Sequence, residues 1–203
     1  MRRYLSIAIL LLAPAGAFAQ AAMPADYQAV LTALGKQGDF KDNVLRVNVP
    51  RNDLHVTIDG VATPTPFGFG GWLALTKGTG GMDLMMGDLV LTDSEVNPVM
   101  SALLTNGLDV TALHNHFFFD TPRIYYMHVH GHGSASDLAA KVKPALALIG
   151  TATADRSVGT SGSTAGRAIT GTLDSASLAK IVGYDGEQNG AVCLLYTSDA
   201  ADE

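Results

Sequence analysis

Apolar residues recur at two distinct periods along this chain, and the switches between them predict its elements. Over Pro24 to Gly35, Tyr27, Val30, Leu31 and Leu34 fall at helical spacing and Gly35 supplies a stop. Strand-like runs follow at Val44 to Val49, Leu54 to Ile58, Trp72 to Thr76 and Met82 to Leu91. Pro50, Asn52-Asp53 and the Pro/Gly cluster from Pro64 to Gly71 punctuate them. Thr92-Asp93-Ser94-Glu95 then has the form of a capping box, ahead of Val96, Val99, Met100, Leu103 and Leu104 on one helical face. Pro98 implies either a helix start near Asn97 or distorted first turns. Val110 to Phe118 predicts a strand, Asp120-Thr121-Pro122 a turn, and Ile124 to His132 a second strand. A last helix from Ser134 carries Leu138, Val142, Leu146 and Ile149 on one face, with a bend at Pro144.

From Gly87 the order is β-α-β-β-α, and the first half is rich in strands. The expected fold class is therefore α+β, a mainly antiparallel sheet with helices packed on one face.

The ends of the chain change what counts as domain. Arg2 and Arg3, the apolar run Leu5 to Ala13 and the Ala17-Phe18-Ala19 site describe a secretory signal peptide over residues 1–19. That run is too short to span roughly 30 Å of hydrocarbon, so a periplasmic or secreted protein without a membrane span is expected. Residues 20–150 form the α+β domain, and residues 151–171, rich in Thr, Ser, Ala and Gly, form a flexible linker. Residues 172–192 begin again. LTALGKQGDFKDNV (Leu31 to Val44) aligns with AKIVGYDGEQNGAV (Ala179 to Val192), matching Gly35 to Gly183 and Gly38 to Gly186. The final CLLYTSDAADE, residues 193–203, matches the translation of a transposase sequencing adapter and is expected to be non-native. On this reading a second tandem domain is cut short near Val192.

Composition narrows the chemistry. The single cysteine, Cys193, falls in the adapter-like tail, so the natural portion offers neither a disulfide framework nor a thiol. The formal net charge of −6 gives no basic footprint for nucleic acid.

Five of the six histidines lie between His114 and His132. Strand side chains alternate faces, so His114 and His116 share one face, as do His128, His130 and His132. A hairpin about Asp120 to Pro122 would oppose His114 to His128, or His116 to His128 and His114 to His130. Both registers are of even parity and bring the two sets to one face, leaving Leu113, Tyr125, Met127 and Val129 for a core. Cross-strand neighbours about 5 Å apart can share an ion. Neutral imidazole without thiolate suits a divalent metal ion such as zinc, in an open, catalytic type of site. His114, His116, His128, His130 and His132 are the candidate ligands; Glu95 and Asp88 are candidate oxygen ligands or general bases, with Glu95 the base of choice, although nothing in their spacing fixes either to this face. His55, in LHVTI, reads as an ordinary half-exposed residue.

The segments GDLVLTDSEVNPVMSALLTNGLDVTALHNH and PRIYYMHVHGHG, in that order, closely resemble the LppY/LpqO family of exported bacterial proteins of unknown function. The resemblance covers most of Pro24 to Gly150. It implies tandem copies of the domain, in agreement with the restart, and it brings no reaction. Mycobacterial relatives in that family are lipoproteins, but the lipobox cysteine is missing here and the anchor does not carry over. The expected function is metal binding, extending to metal-dependent hydrolysis. The alternative is a non-catalytic periplasmic module that grips a metal ion or small polar ligand, with Tyr126 beside the histidines.

Overall fold

The computed structural model describes residues 22–151 and 173–195. The signal-peptide reading, nearly all of the linker and most of the adapter-like tail fall outside the described residues.

Helix α1 (Ala25–Leu34) ends at Gly35, whose left-handed backbone accommodates the cap, and leads into β1 (Gly38–Lys41) and β2 (Val44–Pro50). Two short strands, β3 (Val56–Ile58) and β4 (Val61–Thr63), precede the long β5 (Gly70–Lys77) and β6 (Asp83–Thr92). Helix α2 (Asp93–Thr105), strands β7 (Asp109–His114), β8 (Asp120–Thr121) and β9 (Ile124–Gly133), and helix α3 (Ala135–Leu146) complete the domain. Helix α4 (Ser175–Val182) and the hairpin β10 (Gly186–Asn189) and β11 (Val192–Leu195) follow the linker. Cys193 to Leu195, the start of the adapter-like stretch, thus pair as a strand.

The main sheet has six strands in the order β1-β2-β5-β6-β9-β7, every neighbouring pair antiparallel. Alternation divides its faces. Leu45, Val47, Leu73, Leu75, Met85, Leu89, Met127 and Val129 are buried on one face beneath α1, α2 and α3, with Tyr27, Val99, Leu103, Leu138 and Val142 from the helices. The protein is an α+β domain with its helices on one side of an antiparallel sheet, as the periodicity predicts. Gly131 belongs to this packing: a Cβ there would meet Leu108 at 2.5 Å and Leu138 at 3.1 Å.

Helix α2 starts at Asp93 rather than near Asn97, because Glu95 bonds back to the Thr92 amide at 2.7 Å and fixes the first turn. Pro98 is accommodated inside the helix.

The stretch after His114 departs from the expected hairpin. Strand β7 ends at His114 instead of running to Phe118, and Asp120-Thr121 is a strand rather than a turn, pairing with β3 in a second sheet ordered β4-β3-β8. Other partners hold this excursion: Asn115 Nδ2 donates to Ile124 O at 2.6 Å, Asp59 N to Phe119 O at 3.0 Å and Ile124 N to Asp120 Oδ2 at 2.8 Å. Pro122 has no N–H with which to extend a ladder. The small sheet covers one end of the opposite face of the main sheet, enclosing Val56, Phe69, Val90, Ile124 and Tyr126 in a second, smaller core. The rest of that face is open, and Leu84 and Met86 are exposed on it.

Candidate functional site

The histidine cluster stands where the small core gives way to the open face. His128, in β9, is flanked by Asp88 of β6 on one side and Ala112 of β7 on the other. His114 is paired with Tyr126, so the register lies two residues from the nearer of the two expected hairpin registers. A bulge between Val110 and Ala112 absorbs one residue. Parity is nevertheless even, and the His114 and His128 side chains emerge together: their Nε2 atoms are 3.1 Å apart.

His116 reaches the same place from the loop. Its ring stacks on Tyr126 with centroids 3.4 Å apart and lies 5.1 Å from the ring of His114. Asp88 completes the group, with Oδ1 3.9 Å from His128 Nε2. That oxygen is buried and has no hydrogen-bond partner, and neither has the hydroxyl of Tyr126.

Burial dominates the electrostatics here. It pushes the Asp88 carboxyl above the usual carboxylate range, against the pull of His128, His116 and His114. Desolvation lowers the basicity of His116, whose ring face is covered by Tyr126, with Asp88 acting in the opposite sense. Burial, helped by the nearby charges of Asp88 and Asp120, raises the Tyr126 phenol and keeps it protonated.

His130 and His132 share the face but not the cluster. His130 lies opposite Met86 and Asp109, with Nδ1 3.9 Å from Asp109 Oδ2. His132 lies opposite Leu84, at a shallow hollow of about 240 Å³ lined also by Gly78, Thr79 and Met82. His55 is exposed outside the strands.

Glu95 is not brought to the histidines. It is buried, and Oε2 accepts from Arg51 Nη1 at 2.7 Å and the Thr92 amide at 2.7 Å. Oε1 accepts from Arg51 Nη2 at 3.1 Å and the Gly150 amide at 2.7 Å. These contacts hold Glu95 as a buried anchor between Arg51, the start of α2 and Gly150. Its capping-box position was the signal that favoured this outcome.

Two ring nitrogens and a partnerless carboxylate oxygen form a nitrogen/oxygen donor set of the kind that divalent metals accept. Among the described residues, no group of three or more His, Cys, Asp or Glu is placed to hold a metal ion, and Asp88 Oδ1 stands 3.9 Å from His128 Nε2. The turn within the Pro64 to Gly71 cluster, legible in the sequence only as punctuation, brings Phe67 and Phe69 against Phe117 beside His116. Its two phenylalanines, set in an otherwise glycine- and proline-rich turn, were the available signal.

Fold and site define an α+β domain that presents a histidine–carboxylate cluster on the open face of an antiparallel sheet. Residues 28–148 match the family described as Domain of Unknown Function (DUF1259), and the chain belongs to that family. No curated protein and no solved structure matches it.

Proposed function

We propose that this domain binds a divalent metal ion, with zinc as the reference case, through His114, His128 and Asp88. The carrying observation is the 3.1 Å approach of two Nε2 atoms beside a carboxylate oxygen that lacks a partner. Metal–nitrogen bonds of about 2.0–2.1 Å at tetrahedral angles set ligand nitrogens roughly 3.3 Å apart, so the histidine pair already has ligating spacing. Rotation of the Asp88 side chain would close its distance, and an ion would supply the charge partner that its burial calls for. Three protein ligands leave a position for water or substrate, the arrangement of catalytic rather than structural zinc. The reaction class is then metal-assisted hydrolysis, in which the ion would supply an activated water. His116 stands beside the ligands as a neighbouring polar group.

Calorimetric titration of chelator-treated protein with zinc tests the reading. One ion per domain is expected, with binding lost in His128→Ala and Asp88→Asn. A wild type that takes up no zinc ends it.

The commitment of Glu95 to Arg51 favours a second reading, a non-catalytic module that holds a metal or a small polar ligand. Zinc binding without turnover of ester, amide, phosphoester or lactone substrates would select it.

We further infer an exported protein of the LppY/LpqO type in which residues 172–192 open a second copy of the domain. Three correspondences support the repeat. Helices α1 and α4 end at Leu34 and Val182, strands β1 and β10 span 38–41 and 186–189, and strands β2 and β11 begin at Val44 and Val192. Gly35 and Gly183 both cap their helices in the left-handed region, at φ 62° and 84°. Among the described residues no helix is long and apolar enough to cross a membrane. Protein recovered from the periplasm or medium should begin at Gln20 on N-terminal sequencing; protein found only in the cytoplasm with residues 1–19 attached would refute the export reading.

A further inference from the structure

We propose that the ligand of this site carries a flat aromatic group, seated against Phe67 and Phe117 while an anionic head reaches the ion. This rests on the metal reading above and adds the class of ligand.

A continuous series of rings leads away from the cluster. Tyr126 stacks on His116 at 3.4 Å and 11°, His116 meets Phe117 edge-on at 6.2 Å, and Phe117 stacks on Phe67 at 5.8 Å and 17°. The outermost ring is the unusual one. Phe67 covers Phe117 with one face yet leaves 48% of its surface exposed. An exposed aromatic ring on a loose loop would carry little meaning. Here both supporting segments are fixed.

Phe67 closes a tight turn in which its amide bonds Pro64 O at 2.9 Å and the Phe69 amide bonds Thr65 O at 2.8 Å. The Phe69 side chain is buried as an anchor and packs on Phe117 at 5.7 Å. On the other side, Arg123 Nη1 donates to Phe117 O at 3.3 Å, and Asn115 ties the loop to Ile124. The wall is therefore pre-organised, which lowers the entropy lost on binding.

Gly68 forms the part of the wall nearest Tyr126. Its φ of 140° favours glycine, and a Cβ there would meet nothing closer than Phe117 Cζ and Tyr126 Oη, each at 3.9 Å. Tyr126 is 1% exposed, and its hydroxyl has no hydrogen-bond partner at that spot. An unmet buried hydroxyl is costly, and it marks the Tyr126 end of the ring series as the least settled part of the wall. A wholly hydrophilic ligand would leave the Phe67 face in water. An arene would cover it by offset stacking, beside an ion that holds its head group. Phe118 and Phe119 are more exposed still, but Phe118 makes its ring contact with Phe119 at 6.4 Å and with no ring of the site, so they lie outside the proposed subsite.

The test uses zinc-loaded protein and two hydroxamates that share a chelating head. Benzohydroxamate should bind roughly tenfold or more tightly than acetohydroxamate, by calorimetry. In Phe67→Ser this ratio should fall towards one, with zinc affinity unchanged. In Phe118→Ser the ratio should persist. A wild-type ratio near one, or a ratio insensitive to Phe67→Ser, overturns the aromatic subsite while leaving zinc binding intact. Failure of the preceding zinc titration removes the coordinating head, and with it both readings. The two failures are therefore distinguishable.

Discussion

The Nε2 atoms of His114 and His128 approach to 3.1 Å across β7 and β9, although the two residues are not register partners: His114 pairs with Tyr126, and His128 with Ala112. Two imidazoles set diagonally on one face can converge where directly opposed residues would stand side by side. If this pair is the heart of a metal site, histidines elsewhere on the face should not matter. His114→Ala and His128→Ala should each weaken zinc binding by about 100-fold or more, whereas His130→Ala and His132→Ala should change it less than about threefold. Competitive titration against a chromophoric chelator would measure this. Equal losses at all four positions would contradict the separation of His130 and His132 from the cluster.

Glu95 and Arg51 are both 2% exposed and share two hydrogen bonds, at 2.7 and 3.1 Å. Removing Glu95 leaves the buried Arg51 with only the half-exposed Asp53 as counter-charge and strips the Thr92 and Gly150 amides of their acceptor. Glu95→Ala should therefore destabilise the fold by about 3–5 kcal/mol in urea denaturation. Zinc affinity of the folded fraction should be unchanged. A variant of wild-type stability with impaired chemistry would return Glu95 to the role of base.

What the sequence made legible depended on how local each feature is. Periodicity exposed α1, α2, α3 and the long strands because one buried face imposes its spacing directly. Strand alternation likewise brought His114 and His128 to a common face, whereas the place of Asp88 beside them is set by the β6–β9 register, which its spacing in the sequence did not fix. The end of β7 was not legible, because Asp120-Thr121 pairs with β3, some sixty residues earlier, and no local pattern encodes that choice. The same excursion removes His116 from the strand and delivers it to Tyr126 by a loop. Glu95 was readable in two ways, as a cap and as a carboxylate near the site. The burial of Arg51, a tertiary fact, decides between them.

Gly131 separates His130 from His132 and faces the opposite side, where α3 crosses the sheet. A Cβ at this position would stand 2.5 Å from Leu108 and 3.1 Å from Leu138, both in the core. Gly131→Val should cost about 1–3 kcal/mol or more by overpacking. Truncating the opposing side chain in Gly131→Val/Leu138→Ala should recover part of that loss relative to the sum of the single changes. Strict additivity in thermal denaturation would show that the helix does not bear on Gly131.

Asp53 gives the fold a pH dependence away from the histidines. Its hydrogen bonds to Arg51 Nε and Nη2 lower its carboxyl below the usual value, while partial burial acts the other way. The folded state thus binds the proton less readily than the unfolded chain. The resulting stability is present above the unfolded pKa near 3.9 and is lost as pH falls through the lower folded value. Asp53 is 44% exposed, so solvent screening limits the contribution to about 1 kcal/mol or less. Asp53→Asn should accordingly be slightly less stable than wild type at pH 6. The two curves should converge as the pH is lowered from about 4 towards 2. A stability difference that stays constant across this range would show that the Asp53–Arg51 contact contributes through packing or neutral hydrogen bonding instead of charge.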